Sequence, residues 1–364
     1  MKPIRIVIID DSKLIQSVLQ DIFASDPRTE VVGIAENPHD ARQVIKDTDP
    51  DVITLDVEMP KMNGITFLRN LMRLRPMPVV MISTLTAEGA GVTIEALNIG
   101  AIDFIEKPAN LAQSINAYRD EICSKVVAAA KVPKLKLLEL QQRLQQGASE
   151  ASARPQQVQQ KTKLQSAHIA GHQICAIGGS TGGLEALSNL LTRVKFTGRE
   201  TIVVCLHLPA GFTASYARRL DSLLPIAVKE AVSGEPLEQG NIYIAPGGRH
   251  MEVAKRGSSF CVRLNDNEPV NRHRPSVCVL FDSIAQHVGA GATGIILTGM
   301  GRDGAQGLAN MKQAGCKTFA QDEATSVVWG MPGAAYEIGA VDAQHVLPLA
   351  KLSTCVEQFY QRRH

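Results

Sequence analysis

The sequence has no run near the ~18 consecutive apolar residues that a membrane-spanning helix requires. Its start is not expected to be a secretory leader: in "MKPIRIVIIDD" acidic residues follow a short β-like run, and no small-residue cleavage site comes after. Strong charge is missing too. Lys and Arg total 38 against 36 Asp and Glu, a net charge of +2, so there is no global case for binding nucleic acid or a membrane surface. The seven cysteines stand singly with no CxxC pair. Cys175, Cys205 and Cys278 fall in apolar runs and read as small buried hydrophobes of a reducing compartment. The expected location is cytoplasmic. The composition is that of ordinary globular protein, 45% hydrophobic and 20% charged, and 364 residues suggest about two domains.

Two stretches alternate β and α patterns. Roughly the first 120 residues carry the strand-like runs "IRIVIID", "VVGIAE", "DVITLD", "VVMIS" and "AIDFIEK", with helix-like segments such as "KLIQSVLQDIFAS" and "GITFLRNLMRLR" between them. From Gln173 the alternation resumes with "ICAIGG", "TIVVCLHL", "NIYIAP", "FCVRLND", "GATGIILTGM" and "CKTFAQD". Short β-rich runs alternating with helices predict parallel sheets covered on both faces. Between the two, a Gln-, Ala-, Ser- and Lys-rich stretch without aromatics lacks the apolar content for a core. The expected organisation is a first domain over 1–123, a polar linker over 124–168 and a second domain over 169–364, both α/β and doubly wound.

Ligands of open α/β sheets bind outside the carboxyl ends of the strands. In the first domain those ends carry Asp10 and Asp11, Asp56, Ser83 and Lys107. Three converging carboxylates repel one another unless a cation intervenes, and oxygen donors of this kind suit Mg²⁺. Lys107 supplies positive charge for a phosphoryl oxygen and Ser83 a hydrogen bond to it. The chemistry that fits is phosphorylation of one aspartate. The motifs "IIDDS", "LDVEMPKMNG", "VVMIST" and "DFIEKP" make this half resemble the flavodoxin-like receiver domain of bacterial response regulators. The resemblance implies Asp56 as phosphoacceptor, and Mg²⁺ held by Asp11 and Asp56 with Asp10 close by and the Glu58 backbone carbonyl as a further ligand. It also implies Ser83 and Phe104 as a switch pair, Lys107 as phosphate partner and a cis Lys107–Pro108 bond.

The second half turns on "ICAIGGSTGGLEAL", residues 174 to 187. No Lys follows as in a phosphate-binding P-loop, and Ser180 stands where GxGxxG needs its middle glycine. Gly178–Gly182 does match GxSxG between a strand and a helix, the context of a nucleophile turn. On this stretch alone a nucleophilic Ser180 and a helix N-cap fit equally well. A nucleophile needs a base and an orienting acid. His207 ends the apolar run "TIVVCL", so it emerges on the same sheet edge as Ser180. His39, His168, His172, His250, His273, His287, His345 and His364 sit on charged or irregular stretches. The i, i+4 spacing of His168 and His172 is that of metal ligands, but it falls in or beside the linker. Asp303 lies in a second Gly-rich turn, "GMGRDGAQG", after another apolar strand.

These features, with "LHLPAGFT", "IYIAPGGRHMEV", "NRHRPSVCVLFDSIA" and "QDEATSVVWGMPGAA", make residues 170 to 362 closely resemble the catalytic domain of chemotaxis protein-glutamate methylesterases. The resemblance implies a Rossmann-like doubly wound fold with Ser180 as nucleophile, His207 as general base and Asp303 as its orienter. Thr181 and Met300 line the site, and the Met300 N–H serves as oxyanion donor. Cys278 stands where an Asp is common and Gly333 where a larger polar residue is. The implied substrates are glutamyl methyl esters, and also glutamines, on chemoreceptors, with no cofactor for the hydrolysis. A chemotaxis histidine kinase is the implied phosphodonor, and any contact with the membrane is through receptors. The second half has no short helix-turn-helix pattern or clustered basic face, which argues against nucleic acid.

Overall fold

The computed structural model describes residues 2–59, 63–83, 87–107, 115–138 and 173–361; for 87–90 and 115–118 the backbone alone is described. The chain divides into two compact units, Met1–Val158 and Gln159–His364.

The first unit is built on β1 (Ile4–Ile9), β2 (Thr29–Ala35), β3 (Val52–Asp56), β4 (Val79–Ser83) and β5 (Asp103–Glu106). They form one parallel sheet in the order β2-β1-β3-β4-β5. Every residue of β3 and β4 is buried, which is why these runs are mostly apolar and do not alternate. The helices are α1 (Lys13–Ala24), α2 (Pro38–Thr48), α3 (Gly64–Leu74), α4 (Ala87–Ile99) and α5 (Ile115–Ala130). Side chains mark their starts: Asn37 Oδ1 accepts the Asp40 N–H at 3.1 Å, and Asn63 Oδ1 accepts the Ile65 N–H at 2.9 Å.

The linker expected from residue 124 begins inside this unit. Helix α5 continues to Ala130 and packs on α1, β3 and β4. Val126, Val127, Ala129 and Val132 are buried, so "KVVAAAKV" supplies an apolar face that its simple composition hides. A further helical turn covers 134–138. Pro108, His168 and His172 lie outside the described residues, as does the rest of the expected tether.

The second unit has a seven-stranded parallel sheet in the order β14-β13-β12-β6-β7-β9-β8. Its strands are β6 (Ile174–Gly179), β7 (Thr201–Leu206), β8 (Ala227–Glu230), β9 (Asn241–Ile244), β12 (Ala292–Ile296), β13 (Lys317–Gln321) and β14 (Val346–Leu347). The helices of this unit are α6 (Gly183–Arg193), α7 (Phe212–Leu223), α8 (Val277–His287), α9 (Ala305–Gln313), α10 (Gly330–Glu337) and α11 (Leu349–Gln361). "FCVRLND" does not join the parallel sheet. It forms β11 (Ser259–Asn265), which pairs antiparallel with β10 (His250–Arg256) across a two-residue turn containing Gly257. The short edge strands β8 and β14 carried no clear periodicity. From β6 the chain runs outward on one side through β7 and returns to the other side at β12. The crevice between β6 and β12 is therefore the topological switch point, where ligands of such sheets bind.

The opposite end of the sheet is tied by α11. The Tyr360 hydroxyl donates to Thr201 O at 2.5 Å and accepts the N–H groups of Cys175 at 3.1 Å and Thr201 at 3.2 Å. Tyr360→Phe strands these buried backbone groups, each costing about 1–3 kcal/mol. A thermal melt should show the second unit's midpoint falling by several degrees.

Candidate active site and phosphoacceptor site

In the first unit Ile9 of β1 lies opposite Leu55 of β3, so Asp10 and Asp56 leave the sheet side by side. Lys107 follows β5. Its Nζ lies 3.0 Å from Asp10 Oδ2 and 2.8 Å from Asp56 Oδ2. Asp10, Asp11 and Asp56 each offer an oxygen within 4.8 Å of the others. Burial pushes the Asp56 carboxyl up to about 6; Lys107 opposes that rise and Asp10 adds to it. Burial also raises Asp10. Burial disfavours the charged form of Lys107, but hydrogen bonds and charge from Asp56 and Asp10 hold its pKa above the ordinary value. One ammonium among three carboxylates leaves an excess of hard, anionic oxygen, a donor set suited to a divalent cation. Ser83 and Phe104 are both buried. The Ser83 carbonyl accepts the Lys107 N–H at 2.8 Å. Lys125 Nζ donates to Phe104 O at 2.9 Å and sits 5.2 Å from the Phe104 ring centroid. The Glu58 N–H donates to Asp56 Oδ1 at 3.2 Å.

In the second unit Gly179 of β6 lies opposite Leu206 of β7. The next residues, Ser180 and His207, therefore leave adjacent parallel strands in register at the switch-point edge. Ser180 does not cap α6. The cap residue is Gly182, left-handed at φ 73°, and it makes no side-chain cap bond. The Ser180 N–H donates to Thr298 O at 3.0 Å, which ties the Ser180 turn to the loop after β12. Gly299 is required there: a Cβ on it would lie 2.3 Å from Met331 Sδ and 2.9 Å from Ser180 Cβ.

His207 Nε2 lies 2.8 Å from Asp303 Oδ2. The imidazole is almost wholly buried, at 6% exposure, and its Nδ1 has no hydrogen-bond partner among the described residues. No hydrogen bond joins Ser180 Oγ to His207 there either; in resting enzymes such bonds are often long and tighten only with substrate. Asp303 is heavily bonded. Its Oδ2 also accepts the Val277 N–H at 2.7 Å, and its Oδ1 accepts Ser276 Oγ–H at 2.7 Å, Asn271 Nδ2–H at 2.8 Å and the Cys278 N–H at 3.3 Å. Burial alone would raise this carboxyl. His207, then Asn271 and Ser276, outweigh it and hold the group well below the carboxylate range.

Thr181 is buried, and its carbonyl accepts Thr298 Oγ1–H at 3.0 Å. Met300 is half-buried, and among the described residues its N–H makes no hydrogen bond. Cys278 Sγ accepts the Gly304 N–H at 3.1 Å, and burial pushes its thiol up to about 11, so it serves here as a small packed acceptor. Gly333 lies under the Trp329 indole, where an added Cβ would meet Cε3 at 3.1 Å. Sequence reasoning assigned no roles to Asn271, His273 or Ser276. Their only signal was the string "NRHRPS", whose spacing does not announce that it folds over the His207–Asp303 pair.

A family model described as CheB methylesterase matches residues 175–356, and one described as response regulator receiver domain matches residues 6–119. A protein from Hahella chejuensis named protein-glutamate methylesterase/protein-glutamine glutaminase 1 is 49% identical over 99% of this chain and 97% of its own length.

The chain belongs to the CheB methylesterase family.

A Saccharophagus degradans member of the same name, numbered 2, is also 49% identical, over 97% of each chain. The solved catalytic domain of Thermotoga maritima CheB methylesterase superposes with a TM-score of 0.50 at 36% identity, covering 52% of this chain and 99% of that one. The two-domain α/β organisation of a receiver followed by a CheB methylesterase domain thus holds for the chain. No helix among the described residues is long and apolar enough to cross a membrane.

Proposed function

We propose that the second unit hydrolyses glutamyl methyl esters on chemoreceptors and deamidates receptor glutamines at the same centre. Phosphorylation of Asp56 by a chemotaxis histidine kinase controls it, and the protein works in the cytoplasm, reaching the membrane only through receptors. The observation that carries the hydrolytic reading is the commitment of His207 Nε2 to Asp303, with a buried, unpartnered Nδ1 on the residue that follows β7, next to the strand that Ser180 follows.

Nδ1 takes the Ser180 proton as Oγ attacks the ester carbonyl carbon. The carbonyl electron pair moves onto oxygen, and the oxyanion is held by the Met300 N–H beside Thr181. Collapse breaks the bond to the methoxy oxygen, which leaves as methanol with the proton from Nδ1. Water then attacks the acyl-serine with His207 again as base, releasing glutamate and restoring Ser180. With a glutamine substrate the group that leaves is ammonia. Asp303 keeps Nε2 protonated and balances the imidazolium.

In the receiver, Asp11 and Asp56, with Asp10 beside them and the Glu58 backbone carbonyl, would hold Mg²⁺, which when bound supplies charge neutralisation for phosphoryl transfer. Asp56 accepts the phosphoryl group, Lys107 pairs with it, and Ser83 and Phe104 relay the change. The test is methanol release from methylated receptor membranes, with and without acetyl phosphate and Mg²⁺. The full chain should release methanol and change rate severalfold with the phosphodonor, whereas Asp56→Ala should not respond. No methanol, or an equal response in Asp56→Ala, would refute the respective half of the proposal.

A further inference from the structure

The loop before α8 contains two consecutive non-glycine residues in the left-handed region, Asn271 at φ 53° and Arg272 at φ 68°. Such backbone is uncommon outside glycine and persists where surrounding contacts require it. The flanking residues close on each other: the Val270 N–H donates to His273 O at 3.1 Å and the His273 N–H to Val270 O at 2.9 Å. This is a two-residue hairpin turn with positive φ at both corners, a geometry that Asn tolerates well and Arg poorly.

The turn delivers two side chains to one pair of residues. Asn271 Nδ2 donates to Asp303 Oδ1 at 2.8 Å. The His273 ring stacks on the His207 ring, with centroids 3.6 Å apart and planes 11° from parallel. A relaxed extended path through 271 and 272 would not fold the chain back so that both reach their targets.

We propose that the turn Val270–His273 is the positioning element of the His207–Asp303 pair. Asn271 fixes the carboxylate plane, and His273 covers one face of the imidazole so that the ring cannot rotate about its Cβ–Cγ bond. The imidazole plane is then set before substrate arrives, with Nε2 on Asp303 and Nδ1 left unshared. Small misplacements of a catalytic group cost rate steeply, up to about 10²-fold per ångström. Covering the His207 ring in this way takes a flat aromatic face. Neither residue touches substrate in this proposal; both act through the pair, and the inference rests on the catalytic reading above.

Methanol release by the full-length chain, measured against receptor concentration, tests it in three variants beside wild type and Ser180→Ala. His273→Ala should lower kcat by about 10- to 100-fold with KM within about twofold. His273→Phe, which keeps the stack and removes the nitrogens, should restore most of that loss. Asn271→Gly, which keeps the left-handed corner and deletes the side chain that holds Asp303, should lower kcat by about tenfold. Wild-type kcat in both His273→Ala and Asn271→Gly, with Ser180→Ala inactive, overturns the positioning role and leaves the hydrolytic reading intact. Failure of His273→Phe to exceed His273→Ala, with both matching wild type in thermal melts, overturns the stacking role. Full activity in Ser180→Ala overturns the catalytic reading itself.

Discussion

Ser180→Ala lowers kcat for methanol release by roughly 10⁴- to 10⁶-fold, and His207→Ala does the same. The reason follows from the proposed mechanism: without Oγ no acyl intermediate can form, and without the imidazole nothing takes its proton at neutral pH. The Ser180 side chain makes no cap bond to α6, so its loss removes the nucleophile without removing a helix start. The double variant Ser180→Ala/His207→Ala is no slower than either single variant, because the two groups act as one unit. Steady-state methanol release from the three chains checks this. A double variant slower than both singles by the product of their effects would mean that the residues contribute independently.

Asp303→Asn lowers kcat by about 10³- to 10⁴-fold, less than the loss of Ser180, because in the proposed mechanism Asp303 orients the base and balances its charge without itself reacting. Both carboxylate oxygens accept only: Oδ2 from His207 Nε2 and Val277 N–H, Oδ1 from Ser276, Asn271 and Cys278 N–H. Whichever way an amide is placed, its NH₂ faces donors in place of an acceptor. Either His207 changes tautomer and loses Nδ1 as a base, or Ser276 and Asn271 lose their partner. The thermal midpoint should therefore fall along with kcat. In wild type the carboxyl sits well below the usual range, so it stays ionised throughout neutral and mildly acidic conditions and contributes no inflection to the pH–rate profile above about pH 4. Steady-state kinetics and a melt on Asp303→Asn check both parts. Wild-type kcat would remove Asp303 from the triad.

Legibility in the sequence followed locality. Asp10, Asp56 and Lys107 could be placed together because each ends a short apolar run, and a parallel sheet brings such ends to one edge. Ser180, His207 and Asp303 stood out for the same reason, each following a strand. Helix α5 was partly missed because Ala and Val on one helical face resemble a low-complexity tether until the sheet they cover is known. The run "FCVRLND" was counted with the parallel sheet because such a run could pair with any neighbour, and its antiparallel pairing is decided by the two-residue turn and by the packing of β10 on α8. The contacts of Asn271, His273 and Ser276 were unreadable because they depend on left-handed backbone at 271 and 272, more than 30 residues from Asp303 and more than 60 from His207, and nothing in a short polar string encodes where a loop lands.

The most direct measurement is labelling of the full chain with a fluorophosphonate, followed by mass spectrometry of the adduct. One adduct on Ser180, formed in wild type and slowed by orders of magnitude in His207→Ala, is the expected result. A Ser180 left unlabelled, or labelled equally fast without His207, would contradict a hydroxyl activated by the imidazole on the neighbouring strand.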